Sequence, residues 1–92
     1  NFRCPVGELD LIAIDGSTLV FIEVKARTGS EHGHPLEAIT RSKQRQISRA
    51  AQYYLRRQRL HQALVRFDVV AITWSAQGEP IIELVKDAFP VM

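Results

Sequence analysis

The sequence predicts an α/β fold in which one long helix packs on a mixed β-sheet. Three observations carry that reading. Two strand-like apolar runs are joined by an Asp-Gly turn. A long stretch after them has helical periodicity, and two more strand-like runs follow it. The order strand, strand, helix, strand, strand within 92 residues describes one small domain, residues 1–92.

The first strand is expected over Glu8 to Asp15 (ELDLIAID), rich in β-branched and apolar residues. Asp15-Gly16-Ser17 turns the chain, because glycine tolerates the positive φ of a tight hairpin. Thr18 to Lys25 (TLVFIEVK) follows, apolar enough to be buried on both faces. Thr28-Gly29-Ser30, Gly33 and Pro35 mark a loop. Pro35 is suited to open a helix, where its missing N–H costs nothing, and the helix is expected to run to about Gln58, roughly 35 Å. At about 100° per residue, Ile39, Ile47, Ala50, Ala51 and Tyr54 gather on one side. Arg41, Arg45, Arg49, Arg56 and Arg59 gather on the other. Arg66 to Trp74 is a third strand, Ala76-Gln77-Gly78 a turn, and Pro80 to Val85 a fourth strand nearer an edge.

Composition narrows the function classes. With 46% hydrophobic and 24% charged residues the chain is that of a folded domain, not a disordered one. Cys4 is the sole cysteine, so no intramolecular disulfide forms, which fits a reducing, cytoplasmic setting. No apolar run reaches the ~18 residues of a membrane span, so no membrane partner is expected. Net charge is only +2, yet eight of the twelve basic residues lie between Ala38 and Phe67, where there is no acid. A basic helix face beside an acidic centre suits a polyanion held near a metal ion; a merely solvated face is the plain alternative.

The chemistry-bearing residues lie on the first two strands. Side chains alternate along a strand, so Glu8 and Asp10 share a face, and so do Glu23 and Lys25. If the hairpin register sets Asp10 opposite Glu23, two carboxylates meet and repel unless a cation lies between them. Oxygen ligands of this kind suit Mg²⁺ or Mn²⁺, with the Val24 carbonyl as a further ligand. Lys25 would point at the same site, where an ammonium can position a water or offset charge on a phosphate. An ion pair across a hairpin would look the same in sequence. The end of an otherwise apolar strand, however, is a costly place for unpaired charge.

The strings NFRxxxGELDLIAID, LVFIEVKAR, GHPLEAI, KxxxIxxAAxYYL and RFDVVAI, in that order, resemble the YraN family of bacterial proteins through nearly the whole chain. That family looks like a branch of the PD-(D/E)xK nucleases, which have a restriction-endonuclease-like core and are similar to Holliday-junction resolvases. The resemblance implies that Asp10 is the motif's Asp, Glu23 its second acid and Lys25 its Lys, with Glu8 matching the acid before the Asp. It also implies an N-terminal helix and most of a first strand that are missing here. A homodimer in which a neighbouring copy supplies that cover is therefore allowed.

Other residues have plainer readings. Lys43 lies on the apolar side of the helix, either reaching the metal site or snorkelling to solvent. Tyr54, Trp74 and Phe89 read as packing residues. His32 and His34 flank Gly33 without a third ligand, which favours a loop that touches substrate over a zinc site. Asp68 is expected to pair with Arg66 or cap a neighbour. The leading expectation is a metal-dependent endonuclease acting on DNA ahead of RNA, branched or structured DNA included. Its Asp10, Glu23 and Lys25 would be catalytic, and Arg41, Lys43, Arg45, Arg49 and Arg56 would hold the nucleic acid. A non-catalytic nucleic-acid-binding domain of the same fold and a protein-interaction module are the alternatives.

Overall fold

The computed structural model describes residues 1–28, 33–76 and 78–91. Gly29, Ser30, His32 and Gln77 lie outside them, and with them part of the expected loop and turn. The elements in chain order are β1 (Phe2–Cys4), β2 (Gly7–Leu9), β3 (Leu11–Asp15), β4 (Thr18–Thr28), a 3₁₀ turn (Pro35–Ala38), α1 (Arg41–Arg57), β5 (Leu64–Trp74) and β6 (Ile81–Val85). β1 and β2 form a separate antiparallel hairpin, and the main sheet has the order β3-β4-β5-β6.

The main sheet is mixed. β4 pairs antiparallel with β3 and parallel with β5, from Thr18↔Leu64 to Thr28↔Trp74, and β6 returns antiparallel along β5. Parallel neighbours need a long crossover, and α1 provides it. The β3–β4 turn closes at Asp15↔Thr18 with Gly16 at φ 62°, where a side chain would be strained.

The strand expected over Glu8 to Asp15 is broken by a bend at Asp10, so its first half pairs with β1 instead of β4. Pro5-Val6 turns the chain between β1 and β2. The expected helix start is also displaced. Pro35–Ala38 makes only a 3₁₀ turn, and Ile39 is extended and buried. Thr40 then caps α1, its Oγ1 accepting the Lys43 N–H at 3.1 Å. The buried Gln44 amide donates to the Ile39 carbonyl at 3.2 Å, satisfying the backbone at the break. α1 is therefore 17 residues long, roughly 25 Å at 1.5 Å per residue.

Alternate residues of β4 and β5 face α1: Phe21 and Glu23 on one strand, Phe67 and Val69 on the other. They pack against Ile47, Ala50 and Ala51, whose small side chains let the helix approach the sheet. An aromatic chain ties the layers together. Phe2 meets Tyr54 at 5.1 Å, Tyr54 meets Phe21 at 5.8 Å, Phe21 meets Phe67 at 5.7 Å, and Phe67 stacks on Phe89 at 4.9 Å. Full burial of a ring such as Phe21 or Phe67 stabilises the fold by roughly 1.5–3 kcal/mol, and the partly buried Phe2 and Tyr54 extend that packing to the β1–β2 hairpin and α1. Trp74, by contrast, is half exposed at the end of β5. Among the described residues no helix is long and apolar enough to cross a membrane.

Candidate active site

Pairing between β3 and β4 ends at Leu11↔Ile22. One step further along that register, Asp10 stands opposite Glu23. The chain bends there, and the Asp10 carboxylate takes the place of the next β3 partner: the Val24 N–H donates to its Oδ2 at 2.9 Å. A strand residue's N–H and C=O point to the same side, so the Val24 carbonyl faces this open edge as well.

Glu23 points to the α1 side of the sheet and is 8% exposed. Its pKa is pushed up from 4.5 to about 7, first by burial, then by a hydrogen bond to the Asp10 carboxyl and by Asp10's charge. The opposing influence is Lys43, whose Nζ comes down from α1 to 3.6 Å from Glu23 Oε2. Lys25, two residues along β4, shares the face of Glu23 and is exposed.

This donor set fits a hard divalent cation. Two carboxylates meet at a partly desolvated strand end, with the Val24 carbonyl on the same open edge, and a cation between the acids would offset the burial, and after it the repulsion, that push the Glu23 pKa up. Mg²⁺ sites need only one or two carboxylates when a phosphate completes the shell. Among the described residues no group of three or more His, Cys, Asp or Glu gathers. Glu8 in particular stands apart. It lies on β2, ion-paired to Arg3 at 3.5 Å and accepting a hydrogen bond from the Asn1 amide. The bend at Asp10 breaks the alternation that would have aimed Glu8 and Asp10 together.

Arg41, Arg45, Arg49 and Arg56 are all exposed on α1 and make no ion pair among the described residues. They lie on the side of α1 away from its buried residues Gln44, Ile47, Ser48, Ala50 and Ala51, and so away from the acid pair. Lys43 alone of the five basic candidates reaches the acids. His34 caps the 3₁₀ turn, its Nδ1 accepting the Leu36 N–H at 3.2 Å.

Two features go beyond what the sequence predicts: the role of Arg27, and the closure of the expected Asp68–Arg66 pair by Asp15 and Lys86. Arg27 continues the Glu23, Lys25 face to the end of β4, donating to Thr73 Oγ1 at 3.1 Å and to the Gly33 carbonyl at 3.2 Å, with Glu83 at 3.4 Å. It pins the strand end to β5, β6 and the following loop. The two-residue spacing Glu23, Lys25, Arg27 was the available signal. The other feature is a second carboxylate cluster, on the opposite face. Buried Asp68 holds Arg66 through two bonds of 2.9 and 3.0 Å and accepts the Asp87 N–H at 2.9 Å. Asp15 joins at 3.0 Å from Arg66, with Lys86 at 3.6 Å.

A mixed sheet carrying an acid at a bend and E-x-K on the adjoining central strand, with one helix over it, is the layout of a restriction-endonuclease-like α/β core. The profile of the uncharacterised protein family UPF0102 matches residues 1–72. A UPF0102 protein of Caldicellulosiruptor saccharolyticus is 47% identical over 90 residues, spanning 97% of this chain and 76% of that protein. UPF0102 proteins of Geobacter metallireducens and Rhodococcus opacus are 53% and 52% identical over 89 residues, spanning 97% of this chain and 72% and 75% of theirs. The chain belongs to the UPF0102, or YraN, family, a branch of the PD-(D/E)xK superfamily.

Proposed function

We propose that the protein is a metal-dependent endonuclease that hydrolyses phosphodiester bonds in DNA, with Asp10, Glu23 and Lys25 as its catalytic residues. One observation carries this reading: two carboxylates are driven together at a strand end, where only Lys43 offsets them and Glu23 is pushed up to about 7. Such a pair is costly to a fold on its own, and a divalent cation between the acids would offset that cost. Asp10 and Glu23 would hold Mg²⁺ or Mn²⁺, with the Val24 carbonyl as a third donor. When bound, the ion supplies charge neutralisation to the phosphate and acidifies a nearby water.

The chain's own residues do the rest. Lys25 Nζ orients the attacking water and balances negative charge as it builds on the phosphate. The Val24 N–H fixes the Asp10 carboxylate through Oδ2. Lys43 keeps Glu23 in place and is positioned to move to a phosphate oxygen when substrate arrives. The exposed arginine stripe supplies phosphate contacts that place nucleic acid without reading its sequence.

The test is a cleavage panel of linear, flapped, four-way and single-stranded DNA with Mg²⁺ and Mn²⁺. Metal-dependent cutting that vanishes in Lys25→Ala while DNA binding persists is the expected result. DNA binding without cleavage on every substrate would leave a non-catalytic nucleic-acid-binding domain as the function.

A further inference from the structure

A cleft of about 540 Å³ lies between the turn of the β1–β2 hairpin and the first turns of α1, lined by Arg3, Val6, Gly7, Glu8, Lys43 and Gln46. Its placement is fixed by tight packing. A Cβ on Gly7, which sits at φ 153°, would come within 3.2 Å of the Gln46 side chain, so the hairpin backbone rests directly on α1. One wall reaches the acid pair, because the Lys43 that lines the cleft also holds Glu23 at 3.6 Å.

The chemistry of the lining is that of a nucleotide subsite. Arg3, whose side chain is 79% exposed, and Lys43 offer cationic donors to a phosphate. Gln46 offers both a donor and an acceptor to a base edge. Val6, 41% exposed, gives an apolar surface for a base face. The one adverse charge, Glu8, is already engaged by Arg3 and Asn1. The volume lies within the usual range for a small-molecule site, which suits a single nucleotide and not a base pair.

We propose that this cleft takes one unpaired nucleotide next to the phosphate at Asp10 and Glu23, so that the protein engages DNA whose strand leaves the duplex at the site of reaction. The proposal rests on the nuclease reading for the identity of the adjoining site, but its own claim concerns binding. A base seated against Val6 and Gln46 has lost its partner strand. A continuous duplex would have to be opened at that point, at a cost of a few kcal/mol.

The test uses fluorescence anisotropy in Ca²⁺ with two DNAs, a continuous duplex and the same duplex bearing a single-stranded branch. The junction nucleotide of the branch carries 2-aminopurine as a second readout. Wild-type protein is expected to prefer the branched DNA by about tenfold, the worth of one charge-assisted contact. Arg3→Gln combined with Gln46→Glu should abolish the preference and the 2-aminopurine change, with duplex binding and the thermal midpoint unchanged. Glu8→Gln should strengthen branch binding by removing the adverse charge. Equal affinity of the wild type for both DNAs, or a preference that survives in the double variant, overturns the proposal. Cleavage in Mg²⁺, measured beside it, reports separately on the nuclease reading: loss of cutting with the branch preference intact would refute catalysis and leave the subsite standing.

Discussion

Two clusters of carboxylates sit on opposite faces of the same sheet and behave in opposite ways. On the outer face, Asp68 and Asp15 surround Arg66 and Lys86. Burial pushes the Asp68 carboxyl up, but Arg66 and the Asp87 N–H outweigh it and hold it below the usual carboxylate range; Asp15 is lowered by Arg66 and Lys86. One rung away, on the helix face, Asp10 and Glu23 face each other, and Glu23 rises to about 7. The first cluster is complete within the protein. The second has only Lys43, at 3.6 Å, against two carboxylates, and the proposed function assigns the remaining neutralisation to a bound cation. Polar residues that leave each other unsatisfied are poor structural elements and good ligands.

The contrast implies that the two clusters separate stability from activity. The largest effect is expected for Asp10→Asn and Glu23→Gln, which should lower metal-dependent cleavage by about 10²–10³-fold while the protein stays folded. Circular dichroism beside the cleavage assay checks both halves. Asp68→Ala should do the reverse. It strips Arg66 of its main partner and the Asp87 N–H of its acceptor, and should cost about 1–3 kcal/mol in urea denaturation. For a domain this small that is a large share of total stability. The folded fraction should keep its cleavage rate per molecule.

The pH dependence sharpens the comparison. Between about pH 4.5 and about 7 the folded chain keeps the Glu23 proton that the unfolded chain has lost. The Glu23 contribution to metal-free stability is therefore full below about 4.5 and is lost as pH rises through about 7, by up to about 3 kcal/mol at 1.36 kcal/mol per pH unit. Glu23→Gln should flatten that slope in a series of melts. The outer cluster has the opposite sign: Asp68 is lowered, so its contribution is full above the usual carboxylate range and is lost as pH falls below it. The smallest effect concerns the arginine stripe. Arg45→Gln with Arg49→Gln should weaken binding to unrelated DNA duplexes equally and lower the slope of log affinity against log salt by about two units. An unaltered slope would assign the stripe to solubility.

The sequence makes part of this legible. The β3–β4 hairpin is readable from Asp15-Gly16 between apolar runs, and its register brings Asp10 to Glu23. The core side of α1 is readable from the spacing of Ile47, Ala50, Ala51 and Tyr54. Three features are not readable by periodicity alone. Thr40 caps α1 more effectively than Pro35 starts it, because an N-cap oxygen satisfies an orphan N–H and proline merely tolerates the position. The bend at Asp10 interrupts a run that is strand-like throughout, and only the pairing of β2 with β1 reveals it. Arg66 and Asp68 look like any alternating charges on a strand. Their closure by Asp15 and Lys86 depends on contacts distant in sequence.

The direct test of the central claim is a Mn²⁺ titration by calorimetry at pH 8 of the wild type, Asp10→Asn, Glu23→Gln and Asp15→Asn. The account predicts one Mn²⁺ per chain for the wild type and for Asp15→Asn, and loss of binding in Asp10→Asn and Glu23→Gln. Unchanged Mn²⁺ affinity in Asp10→Asn, or loss of binding in Asp15→Asn instead, would contradict it.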